Sequence, residues 1–233
     1  MDIVIPLAFE PANHTLPLVR RSLALHAPQL RLVIAGYAWP YLNDPEVGHT
    51  IDFPQLAGRE IANTDTAMRK ACLDPEVSDP FIWSNDDIYW RRPVTLEELV
   101  HHSAVSRGPL PPASYTAKNI HTRIGKVTGE LMRAAHLPDW DYERHVPLLV
   151  HKAAMLQALE LGGSKRSTYG NLTNAFPTAI RPDVKVFYEA DVAELASPEL
   201  EPWFSTGNRF PVQQVPDMLG LGSVAATAGS QAS

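Results

Sequence analysis

Asn85, Asp86 and Asp87 are the residues whose types and placement most directly suggest chemistry. They follow the apolar run Phe81-Ile82-Trp83 after a single Ser, and a second apolar run, Ile88-Tyr89-Trp90, begins at once. Three consecutive large apolar residues read as a short buried strand. Two neighbouring carboxylates at the end of such a strand are costly to bury without a cation or strong donors. In open α/β sheets, ligands sit outside the carboxyl ends of strands. An acidic pair there suits a divalent ion that itself carries a phosphate-bearing substrate. Asn and Asp also make ordinary turns, so the elements around the triplet decide between the two readings.

Those elements alternate strand and helix. Asp2–Leu7 is a β-branched strand, and Leu16, Val19 and Leu23 then recur at helical spacing up to His26-Ala27-Pro28. Leu32–Gly36 is a second strand, so the opening forms a right-handed parallel unit. The loop after the first strand holds neither Gly-x-Gly-x-x-Gly nor a Walker Gly-Lys-Ser/Thr, which disfavours classical dinucleotide and P-loop folds. Tyr37 and Trp39 lie in an aromatic loop after the second strand, placed either to stack on a base or to pack as a lid. A third short strand is expected near 48–53, its His49 structural rather than catalytic. Asn63-Thr64-Asp65 then reads as a helix cap, with Ala67, Met68, Ala71 and Cys72 on the buried face.

After the triplet, Thr95 to Glu98 forms a capping box that opens a helix. Residues 103–118 are rich in Ser, Pro and small side chains and read as a lid loop. Ile120, Ile124, Val127 and Leu131 mark another helix. A further one is expected from Pro147 to about Leu161, stopped by Gly162-Gly163. Lys165-Arg166-Ser167 opens the next, with Tyr169, Leu172 and Phe176 on its apolar face. A late strand follows at 184–188, then a polar-aromatic turn at 203–210, and a disordered tail is expected at 220–233. The expectation is one domain over 1–219, with a helical and lid region at about 103–180.

Composition fits a single soluble core. The chain has 233 residues, 45% hydrophobic and 20% charged. Its net charge of −6 gives no basic footprint for nucleic acid. Cys72 is the one cysteine, so no internal disulfide forms. No signal-peptide pattern and no apolar run of about 18 residues is visible, so a cytoplasmic protein without a membrane span is expected.

Taken in order, these segments resemble the core of the Stealth family of sugar-phosphate transferases, whose fold is related to GT-A glycosyltransferases. An arginine-bearing helix leads to an apolar strand, a His near a third strand, Asn63-Thr64-Asp65-Thr66-Ala67, and Phe81 to Asp87. Ile88 to Pro93 fills the place of the family's apolar pair and Pro-containing segment. His145-Val146-Pro147 matches its His-x-Pro, and Arg166-Ser167 its Arg-Ser. The resemblance covers roughly residues 16–180, with a weaker echo at 205–210. Where the family carries an acidic turn after its first strand, this chain has Pro6-Leu7-Ala8-Phe9-Glu10. It is also similar to compact transferases encoded by bacteria and phages.

The resemblance implies a GT-A-like, mostly parallel central sheet flanked by helices, and transfer from a nucleotide-diphosphate sugar (a UDP- or GDP-sugar) to a saccharide or protein acceptor. Mn²⁺ or Mg²⁺ offsets the charge gathering on the departing diphosphate. Asp87 is the first ligand expected, with Asp86 binding the metal, the sugar or the ribose, and Asn85 orienting a carboxylate. Arg166 is expected to grip phosphate through its guanidinium fork. His145 contacts the donor phosphate, acts as acid or base, or holds its loop. Asn63 and Asp65 bind substrate or cap their helix. Two other readings stand beside glycosyl transfer: a sugar-1-phosphate transferase, and a non-catalytic carbohydrate or nucleotide binding module.

Overall fold

Ile3, Ile5 and Leu7 of the first strand enter one core cluster while Val4 enters another, so this strand is covered on both faces. That is the signature of a central strand in a parallel sheet. The computed structural model describes residues 1–8, 15–174, 176–181, 185–186, 202–206 and 210–219. The expected tail at 220–233 lies outside them. Strands β1 (Asp2–Leu7), β2 (Arg31–Gly36), β3 (His49–Asp52), β4 (Phe81–Trp83) and β7 (Leu148–Val150) form one sheet in the order β3-β2-β1-β4-β7. All pairings are parallel except β4 with β7. The protein is therefore α/β, with a mostly parallel sheet flanked by helices. No helix among the described residues is long and apolar enough to cross a membrane.

Helix α1 (Leu16–His26) packs on one face through Leu16, Val19 and Leu23, the stripe expected from spacing. Burying each contributes about 1.5–3 kcal/mol. Its Ser22 also accepts a hydrogen bond from the Trp90 amide at 3.2 Å, which ties the helix to strand β5 (Ile88–Trp90). Helix α2 (Glu60–Leu73) covers the other face with Ala67, Met68, Ala71 and Cys72, also as expected. Burial pushes the Cys72 thiol up to about 12, which leaves it without thiolate character at neutral pH. Helix α3 (Leu96–Ser103) has the expected capping box, with both Thr95–Glu98 bonds formed. His49 Nε2 lies 2.9 Å from Asp74 Oδ2, tying β3 to the end of α2.

Several expectations are corrected. Helix α2 starts at Glu60, so Asn63, Thr64 and Asp65 lie inside it and cap nothing. Thr64 instead bonds back to the Glu60 carbonyl. The segment after Pro147 begins as strand β7, and the helix α5 (Lys152–Leu161) follows it. Helix α4 (Ile120–Ala134) forms, but its buried positions are Thr128, Gly129 and Met132, while Ile120 and Val127 are exposed. Helix α6 (Lys165–Thr173) ends before Phe176, which is exposed.

The first half of the expected lid is packed. Strand β6 (Val105–Ser106) pairs with β8 (Ala179–Ile180), and Val105, Ser106 and Leu110 are buried. Arg107 and Leu110 donate backbone bonds to Asp141 and Asp139, both 2.7 Å. The turn expected at 203–210 is in part strand β10 (Trp203–Thr206), which pairs with β5 and with β9 (Lys185–Val186) to form a small second sheet. The remainder of the expected late strand and Gly207 to Arg209 lie outside the described residues.

Candidate active site

Chain order turns at β1. The strands run outward from β1 to β2 to β3, and the chain then crosses back to lay β4 on the opposite side of β1. Such a switch point opens a crevice beyond the carboxyl ends of the two diverging strands. Here that crevice is a cleft of about 350 Å³ lined by Pro6, Leu7 and Ala8 after β1, by Glu60, Asn63 and Thr64 of α2, and by Asn85 and Asp86 after β4. The volume lies within the range of small-ligand sites.

A second lobe of about 130 Å³ shares Thr64 and Asn85 with the first and adds Glu143, Arg144, His145, Lys165 and Arg166. The direction of β7 places these residues. It runs antiparallel to β4 with Leu148 opposite Trp83, so the residues that enter β7 gather at the rim where β4 leaves the sheet. The strand that sequence patterning missed is thus the one that carries His145 to Asn85.

Arg166 is 6% exposed, and its Nη1 donates to the carbonyls of Arg144 and Val146, both at 2.8 Å. These bonds clamp the loop that carries His145, while Arg166 also lines the lobe. Glu143 accepts bonds from the Ser164 hydroxyl and, at 3.3 Å, from the Ser167 amide, capping α6. Asp65 pairs with Lys165 at 2.8 Å across the lobe, α2 to α6. Asn63 makes two bonds of 2.9 Å to the backbone of Leu56, so it orders the loop before α2 while its side also lines the cleft. Tyr37 and Trp39 are not among the lining residues, and Trp39 is exposed. The structure brings neither to the cleft wall.

Asp86 lines the larger lobe, while Asp87 is paired with Lys185 of the small sheet. Asp87 Oδ2 lies 3.2 Å from Lys185 Nζ and 3.9 Å from His145 Nδ1, and Lys185 Nζ is 3.5 Å from that nitrogen. Sequence reading missed Lys185 and Arg144. The signal for the first was a lone cation inside the apolar run expected as a strand at 184–188. A buried arginine carries no comparable pattern.

Asp87 Oδ1 is buried and has no hydrogen-bond partner among the described residues, and Asp86 is adjacent to it in sequence. Among the described residues no three His, Cys, Asp or Glu side chains form a cluster. An ion held by two carboxylates would complete its shell with phosphate oxygens and water, the usual arrangement for Mg²⁺. Compared with known proteins, the chain matches no family model and no curated protein.

Proposed function

We propose that this protein is a GT-A-like glycosyltransferase that moves a sugar from a UDP- or GDP-sugar to a saccharide or protein acceptor. The observation that supports this most is the position of Asn85 and Asp86. They end β4 at the switch point beside β1, and they share their cleft with a lobe that holds Arg144, Lys165 and Arg166. A donor laid along the cleft would put its nucleoside against the β1 and α2 side and its diphosphate between the acids and the basic lobe.

Asp86 and Asp87 would hold Mn²⁺ or Mg²⁺, with Asn85 orienting them. When bound, the ion supplies Lewis-acid stabilisation of the departing diphosphate. Lys165 and Arg144 add fixed positive charge from the other side. His145, at the lobe's edge, contacts the diphosphate or moves a proton on the leaving oxygen. Arg166 keeps that histidine's loop in place.

A second reading, transfer of sugar 1-phosphate, is favoured by the basic lobe itself, since three cations beside Asn85 suit a phosphoryl group that is transferred rather than released. Labelled UDP- and GDP-sugars separate the two. Released nucleoside diphosphate, dependent on Mn²⁺, is expected. Nucleoside monophosphate would establish the second reading. Metal-independent binding with no donor turnover would make the protein a binding module and end both enzyme readings.

A further inference from the structure

Lys185 and Asp87 are 98 residues apart in sequence, and the small sheet brings them together. Ser205 of β10 lies opposite Ile88 on one side and opposite Lys185 on the other. The Thr206 amide donates to the Asp87 carbonyl at 3.3 Å, fixing the backbone at that point. The ammonium that results lies 3.2 Å from Asp87 Oδ2, with side chains only 17% and 19% exposed. It also lies 3.5 Å from His145 Nδ1. A lysine is a donor with no acceptor, so it satisfies one carboxylate oxygen and leaves Oδ1 without a partner among the described residues.

We propose that Lys185 is the resident counter-cation of Asp87 and a specificity-determining residue, so that the acid pair takes up a divalent ion only together with a diphosphate. This rests on the glycosyltransferase reading and adds an order of binding to it. A free divalent ion approaching Asp87 meets an ammonium already on Oδ2 and must displace a charge whose side chain is only 17% exposed. When the ion arrives with a nucleoside diphosphate, the phosphates give the ammonium a new anionic partner and the carboxylate is released to the metal. Metal and diphosphate then bind cooperatively, each tightening the other by the same factor. Lys185 is a positioning residue for Asp87 before loading and a phosphate contact after it.

Mn²⁺ binding, followed by electron paramagnetic resonance with and without UDP or GDP, tests this without any turnover. Wild-type protein should bind Mn²⁺ alone weakly and at least tenfold more tightly with the nucleotide. Lys185→Met should bind Mn²⁺ alone about tenfold more tightly than wild type and lose most of the nucleotide's effect, while Lys185→Arg keeps the wild-type pattern. Lys165→Met removes a like charge from the neighbouring lobe and should change affinity for Mn²⁺ alone less than twofold. Equal shifts in Lys185→Met and Lys165→Met, or coupling unchanged in Lys185→Met, would overturn the role of Lys185 and leave the transferase reading standing. A wild-type coupling below twofold overturns the proposal even where Lys185→Met fails to fold. Nucleotide binding that ignores Mn²⁺ in every variant would remove the metal-dependent reading and this one with it.

Discussion

Gly36→Ala should destabilise the protein by about 3 kcal/mol or more, lowering Tm by many degrees, and should disable the cleft in whatever folds. Gly36 ends β2 with φ of +118°, a backbone conformation that L side chains rarely adopt. A Cβ at this position would also meet the Leu7 carbonyl oxygen and the Gln55 side-chain nitrogen far inside van der Waals contact. The Gln55 side chain can swing aside, but the Leu7 carbonyl is backbone and cannot move cheaply. The Leu7 carbonyl accepts from the Tyr37 amide at 3.0 Å and from Gln55, and the Gly36 carbonyl accepts from Ala38 at 2.9 Å. Leu7 and Gln55 line the cleft, so strain at Gly36 passes directly into its wall. Thermal denaturation followed by circular dichroism measures the loss. A Tm within two or three degrees of wild type would mean that the turn after β2 relaxes freely.

Arg166→Ala is expected to cost about 3 kcal/mol and to weaken nucleotide binding by more than the loss of one surface charge would explain. The buried guanidinium satisfies two carbonyls of the 144–146 loop. Removing it leaves those acceptors without their donor and frees the approach to β7, on which Arg144 and His145 ride. Arg166→Lys should not restore the loop, because both carbonyls accept from Nη1 and lysine's shorter stem stops its ammonium short of that position. Denaturant melts report the stability change, and the crystal structure of Arg166→Lys reports the position of His145. An unmoved His145 with only nucleotide affinity reduced would return Arg166 to the role of a simple phosphate contact.

Much of the sheet was legible because its central strands are apolar runs bounded by turns, and the faces of α1 and α2 follow from helical spacing. The capping box at Thr95 was legible for a local reason, since both of its bonds join residues three apart. Strand β7 was not. Leu148-Leu149-Val150 is buried throughout and only three residues long, so it carries no alternation, and after a Pro it looks like a helix start. Asn63-Thr64-Asp65 misled in the opposite direction. These residues favour caps, but α2 begins earlier at an Arg59 whose side chain makes no capping bond.

In the candidate site, Asn85 to Asp87 could be read because position at a strand's end is local information. Its companions are not local. Lys185 meets Asp87 only through the register of three strands, and Lys165 meets Asp65 across 100 residues. Arg166 could be identified as a matched residue in a motif, but its service to the loop depends on which carbonyls the fold places around it.

The proposed transfer requires Asp86 and Asp87 to join a divalent ion to a diphosphate. Titration calorimetry of UDP and GDP, in Mn²⁺ and in EDTA, tests this most directly when wild type is compared with Asp86→Asn and Asp87→Asn. Wild type should bind one of the nucleotides at least tenfold more tightly with Mn²⁺, and both variants should lose that difference while keeping a cooperative melt. Equal binding in Mn²⁺ and EDTA by wild type, or an undiminished metal effect in Asp87→Asn, would contradict it.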